Sequence, residues 1–295
     1  MKHSWTLTKI RMRMALRSKA FLFFSIILPI GFLFFYAGVF GRGDPRKVAY
    51  VLAQVLSLTV MGSFWGLSAQ LVIFREQGIL RRFRLAPVGA TAMLASSVMS
   101  NYVLILPTVA LEFVLARVVF GMTQWGNLFG AFVIVSLGAI AFSSLGLIVA
   151  SVTNNMQETQ VINNAVWFCF LFLSGAAIPL PILPKFIQHV ALFLPATYLV
   201  TGLQSVLVRH ASLFSVTADV IALAGSFAVA FVISRQLFRW EPEERVPNRA
   251  KLWAAAAMIP FLLLGAWEST RGDRRAEAIN IFESLQPPSN PPRTK

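Results

Sequence analysis

"REQGILRRFRLAPVG", residues 75–89, packs four arginines, one glutamate, two glycines and a proline between two long hydrophobic runs. Such a cluster is at odds with its surroundings: 57% of the 295 residues are hydrophobic, only 13% are charged, and the mean hydropathy is +0.69. That is a membrane protein's composition. Apolar stretches of about 18 residues or more, enough to cross a hydrocarbon core of roughly 30 Å, recur along most of the chain. The sequence therefore predicts an all-α fold, a polytopic transmembrane helical bundle, with the cluster as a loop on one face of the membrane. A net charge of +14 would point to nucleic acid in a soluble domain. Here the basic residues flank hydrophobic runs, where they set topology and meet anionic headgroups, so membrane lipids are the expected partner and nucleic acid is not.

On the N-terminal side of the cluster, residues 1–20 hold six Lys or Arg, and Lys9, Arg13 and Arg17 recur beside Leu7, Ile10 and Met14. This spacing predicts an amphipathic helix lying on the membrane face. The uncharged run Phe21 to Phe40 is the first expected span, with a kink at Pro29 and Gly31; its basic leader is too extended for a signal peptide. Val48 to Phe74 is the second. Beyond the cluster, spans are expected at about Ala92–Phe120, Asn127–Val152, Val161–Ile178 and Ala218–Phe238, six in all. The stretch between the last two is hydrophobic but broken by Pro179, Pro181, Pro184 and Pro195, which suits short helices dipping into one leaflet and not a crossing. Residues 21–240 thus form a six-span domain, and 241–295 an extension. Within it 252–267 is a candidate seventh span interrupted by Pro260, and the Pro-rich end is expected to be disordered.

With the N-terminus inside, the inner segments up to Lys251 carry fifteen Lys or Arg against six outside: Arg42, Arg46, Lys47, Arg117, Lys185 and Arg209. The positive-inside rule then places the N-terminus and the cluster in the cytoplasm.

Chemistry is sparse. Three aspartates and nine glutamates are scattered, and the three histidines lie far apart, so no catalytic residue and no metal site is nominated. No phosphate-binding Gly-Lys loop is present, so no nucleotide or other cofactor is assigned to this chain. Cys169 lies inside an apolar run and reads as a buried, inert thiol. In the third span Ser97, Asn101, Thr108 and Glu112 share a narrow arc. This stripe either lines a pathway or faces a partner, or else bonds neighbouring helices while Glu112 meets water near the outer interface. In the fourth span Ser136, Ala139, Ser143, Gly146 and Ala150 form a small-residue face suited to close helix packing.

The cluster closely resembles the first cytoplasmic loop of type-2 ATP-binding-cassette (ABC) exporter permeases. In that family a glutamate, a glycine, a basic pair and a "TPV"-like end form a coupling helix. Here these positions read Glu76, Gly78, Leu80, Arg81, Arg82, Leu85, Pro87 and Val88, with Ala86 where threonine is common. A second stretch, "LSGAAIPLPILPKFIQHVALFLPATYLVTGL", is similar to the family's outer hairpin through Ser174, Gly175, Pro179, Leu183, Pro184, Pro195 and Tyr198. The resemblance covers about residues 1–240. It implies a permease subunit of an exporter that pairs with a second permease as homodimer or heterodimer and is driven by a separate cytoplasmic ABC ATPase, which holds ATP and magnesium. Arg75, Glu76, Arg81, Arg82 and Arg84 would then meet the ATPase. A hydrophobic or amphipathic substrate of the drug, lipid or glycan class fits this reading. An ion-coupled carrier using Glu112, and a non-transporting scaffold, are the alternatives.

Overall fold

The computed structural model describes residues 17, 19–41, 44–84, 89–240, 252, 259–271 and 273–286. The expected amphipathic helix over 1–20 and the Pro-rich end lie almost wholly outside them. Among the described residues the regular structure is entirely helical.

The first hydrophobic run is one helical segment in which α1 (Lys19–Leu22) and α2 (Leu28–Tyr36) alternate with π-helical turns at Phe23–Ile27 and Ala37–Gly41. Pro29 explains the first of these. It lacks an N–H, and its ring would crowd the carbonyl four residues back; the wider π turn, in which the Leu28 N–H reaches Phe23 O, relieves both problems. The kink expected at Pro29 is thus a change of helical pitch.

Helix α3 (Pro45–Glu76) is the axis of the bundle and is buried over most of its length. Gly78, at φ +67°, turns the chain into the short α4 (Ile79–Arg84). Next come α5 (Ala90–Val118), α6 (Leu128–Val152) and α7 (Met156–Leu173), the last two started by the side chains of Asn127 and Asn155, which accept from the N–H groups of Gly130 and Glu158. Helix α6 lies so close to α3 that a Cβ on Gly146 would sit 2.3 Å from Phe64 O. Phe170 of α7 closes this core edge-on against Phe64 and Phe142.

After α7 a 3₁₀ turn (Leu180–Ile182), α8 (Lys185–Ala191) and α9 (Pro195–Val208) follow, with α8 and α9 bent by 96°. Pro184 and Pro195 stand at the starts of α8 and α9, where a missing N–H costs nothing. Helix α10 (Thr217–Gln236), α11 (Ile259–Arg271) and α12 (Asp273–Ser284) complete the described chain.

Among the described residues four helices are long and apolar enough to cross a membrane, α3, α5, α6 and α10, or up to five if the bent α8–α9 pair is one span. The count of six plus a seventh is therefore not reached by length and composition. The fifth expected span, placed at 161–178, is a helix over 156–173 whose polar first turns lower its hydropathy. Helix α11 has only 13 residues, and most of 252–258 lies outside the described residues.

The bundle has two ends. One, the near end, holds 75–84, 153–156 and 237–240. The far end holds 44–50, 119–127, 174–195 and 209–216.

Candidate functional site

At the near end the α6–α7 turn is held from two sides. The carbonyl of Ala150 lacks its helical donor, because the Asn154 N–H is taken by Glu158 Oε2 at 2.9 Å. Arg75 fills the gap: its Nη1 donates to Ala150 O at 2.8 Å and its Nη2 to Thr153 O at 2.6 Å. Arg239, just beyond α10, donates to the same Thr153 O at 2.5 Å and to Asn154 Oδ1 at 3.2 Å. Two guanidinium groups on one helix C-terminus suit its partial negative charge. Glu76 adds an acceptor for the Met156 N–H at 2.8 Å. Leu80 is fully buried among Leu71, Val72, Leu94, Val98 and Leu147, which pins α4 beneath the bundle.

This geometry redistributes the roles expected of the cluster. Arg75 is 2% exposed and spent on carbonyls; it is an anchor of the fold, not a surface cation. Glu76 and Arg81 are exposed. Gly78 supplies the left-handed turn that L-residues with a Cβ resist. The side chains of Arg82 and Arg84, and all of Leu85–Val88 with Pro87, fall outside the described residues.

The polar stripe of α5 turns inward. Ser97 donates to Met93 O at 2.7 Å, Asn101 to Ser63 O and Ser143 Oγ at 3.2 and 2.8 Å, and Thr108 to Ser25 O at 2.8 Å. Glu112 accepts from Thr59 Oγ1 at 2.5 Å and is fully buried. It does not reach interfacial water, because α3 covers it. Asn101, Thr108 and Glu112 thus bond α5 to neighbouring segments of the same chain, while the Ser97 bond stays within α5.

The far-end hairpin is assembled as a unit. Ser174 donates to Phe170 O and receives the Ala176 N–H. Gly175 takes φ +91° and its carbonyl accepts from Gln54 Nε2 at 3.3 Å. Pro179 precedes the 3₁₀ turn. Tyr198 is fully buried, donates to Leu192 O at 2.8 Å and lies under the Arg274 guanidinium, 4.4 Å from the ring centre.

Two features escaped sequence reasoning. Helix α7 exposes Gln157, Gln160 and Asn164 on the same face as Phe168 and Phe172; the expected span, starting at Val161, includes Asn164 and both phenylalanines but leaves Gln157 and Gln160 in the preceding link, so the stripe is not seen whole. Cys169 is exposed on this helix, not buried. The other is a buried ionic centre: Arg274 of α12 meets Asp219 and Glu268, and donates to Thr201 Oγ1 at 2.8 Å. Burial alone would lower the Arg274 pKa, but Asp219 and then Glu268 hold it above its ordinary value, so the group stays charged.

Residues 2–208 match the family described as ABC-2 type transporter. The chain is 24% identical over 199 residues to the Bacillus subtilis protein YvfS, named a transport permease, covering 65% of this chain and 80% of that one. It is 26% identical over 168 residues to the linearmycin resistance permease protein LnrN of Bacillus subtilis, covering 57% and 42%. It is 24% identical over 197 residues to the inner membrane transport permease YhhJ of Escherichia coli, covering 66% and 52%. The chain thus spans four fifths of YvfS but only about half of the other two.

Proposed function

The chain belongs to the ABC-2 type transporter family, and from this premise we propose that it is the membrane-spanning permease subunit of an ATP-driven exporter, working with a separate cytoplasmic ABC ATPase. The observation that carries the reading is the near end. A short helix breaks away from the central α3 at Gly78, anchored from behind by Arg75 and Leu80, and presents Arg81 outward beside Glu76, which is exposed at the end of α3. Fixing the charges on a rigid base is what a docking surface needs, because charged contacts set register and orientation between partners. ATP and magnesium belong to the partner in this reading.

The helical segment 19–41 and α7 complete six spans, with α8–α9 as a re-entrant pair. At about 1.5 Å per residue the 18 residues of α7 reach about 27 Å, close to the hydrocarbon thickness. The excess of Lys and Arg on the near end supports a cytoplasmic N-terminus and an inner-membrane location. Exposed amides on a spanning helix are costly against lipid. Gln160 and Asn164 on α7 therefore support a pathway, shared with a second permease subunit, along this face and not along α5. Amides beside Phe168 and Phe172 make an amphipathic wall, which fits a hydrophobic or amphipathic substrate.

The test is purification of the tagged protein in mild detergent, wild type against Arg81→Glu, with identification of bound proteins and assay of ATP hydrolysis. An ATPase present in the wild type and depleted in the variant supports the reading. Equal recovery in both removes the docking role, and no ATPase in either removes the exporter.

A further inference from the structure

The chain is at the near end when it leaves α10, since Arg239 holds Thr153 and Asn154 there. Its last described helix is at the far end. Phe282 of α12 packs against Tyr50, with ring centres 6.3 Å apart, Ala278 sits with Leu180 and Ala191, and Glu277 pairs with Arg209 at 2.9 Å. Arg75, beside Arg239 on Thr153 O, and Tyr50, beside Phe282, are 25 residues apart on the single helix α3. That is about 37 Å at 1.5 Å per residue, more than a hydrocarbon core of about 30 Å. Since α3 crosses the membrane, the chain between Arg239 and Phe282 crosses it as well. Helix α11 has the surface such a crossing needs: Ile259, Leu262, Leu263 and Trp267 are exposed, an apolar face that lipid covers. Its other side fits the hairpin closely, for a Cβ on Gly265 would meet the Phe193 ring at 2.4 Å.

We propose that the C-terminal extension makes a seventh membrane crossing and that α12 folds back over the far face as a cap, latched to the bent α8–α9 pair and α10 by Arg274. The latch is the buried centre already described. Arg274 joins Asp219 of α10, Glu268 of α11, and Thr201 and Tyr198 of α9, so that one side chain ties three helices to the cap. Arg209 with Glu277, and Ser205 donating to Glu277 at 3.0 Å, add a second, exposed tie.

The experiment uses the full chain with Cys169→Ala as background. Single cysteines replace Gln77 at the near end and Asn280 on α12, both exposed, and a membrane-impermeant maleimide is applied to intact cells and to inverted membrane vesicles. The crossing requires the two positions to label from opposite sides. Labelling from the same side overturns it. If the opposite sides are exchanged, so that Gln77 labels from outside, the crossing stands and the cytoplasmic docking reading falls. The latch is tested at Ala278→Cys, 3% exposed before substitution. Breaking a buried ion pair by removing one partner should open this position and raise its labelling rate by about tenfold or more in Arg274→Gln. Asp219→Asn, which keeps the shape of the site, serves as the milder variant, with unchanged Asn280→Cys labelling as the control for insertion. Equal rates at residue 278 with and without these substitutions overturn the latch.

Discussion

Replacing Arg75 by alanine separates an anchor from a docking residue. Its guanidinium makes two charge-assisted hydrogen bonds, to Ala150 O and Thr153 O. At about 1.5–3 kcal/mol for each such bond, a simple sum gives about 3–6 kcal/mol. The geometry lowers that figure. Thr153 O also accepts from Arg239, so the single substitution strips a side-chain donor from Ala150 O alone, and it ends the repulsion between two cations sharing an acceptor. The expected loss is therefore about 1.5–3 kcal/mol. Arg239→Ala leaves Thr153 O on Arg75 for the same reason. The double variant deprives both carbonyls, and should lose more than the two single losses added, by about 1 kcal/mol. Equilibrium unfolding in mixed micelles of rising SDS content, followed by the fluorescence of the seven tryptophans, measures all four proteins. Co-purification of the ATPase is measured beside it, under conditions where each variant is folded. An Arg75→Ala protein with unchanged unfolding but a lost ATPase would show that the residue docks a partner and would refute the anchor. Strict additivity would refute the shared acceptor.

Three more outcomes are expected. Gly146→Ala places a Cβ 2.3 Å from Phe64 O and should cost about 1–3 kcal/mol by forcing α3 and α6 apart, read in the same micelle titration; a neutral result would mean the two helices separate freely. Asn164→Leu should reduce transport at normal membrane abundance if the α7 face lines the pathway, whereas a lipid-facing position would tolerate leucine. Glu112→Gln keeps an acceptor for Thr59 and should leave ATP-driven transport in inverted vesicles unchanged, with or without a protonophore; a variant that abolishes transport without lowering membrane abundance would revive the ion-coupled carrier.

The helices α3, α5, α6 and α10 were legible because a long, predominantly apolar run has few alternatives in a chain of this composition, and their ends fell within a few residues of expectation. The proline-broken hairpin was legible for a similar reason, since Pro184 and Pro195 admit helix starts but not helix interiors. Side-chain roles were less legible. Arg75 and Arg81 look alike in sequence; only the position of the α6 C-terminus makes one an anchor and leaves the other exposed. Glu112 looked solvated from its distance along the helix, because sequence does not show that α3 lies over it. Arg274 could not be paired with Asp219, 55 positions away, since the contact depends on the chain returning to the far end.

One consequence of the uninterrupted α3 is mechanical. Near its start it touches Phe282 and donates from Gln54 to the hairpin; at its finish it carries Arg75, Glu76 and the turn into α4. No proline lies between them, and the two glycines of this stretch, Gly62 and Gly66, flank Phe64, the residue against which α6 packs at Gly146. In the proposed exporter this contact would serve as a pivot: a tilt imposed on the helix at one end by a closing partner would displace the hairpin at the other end in the opposite direction.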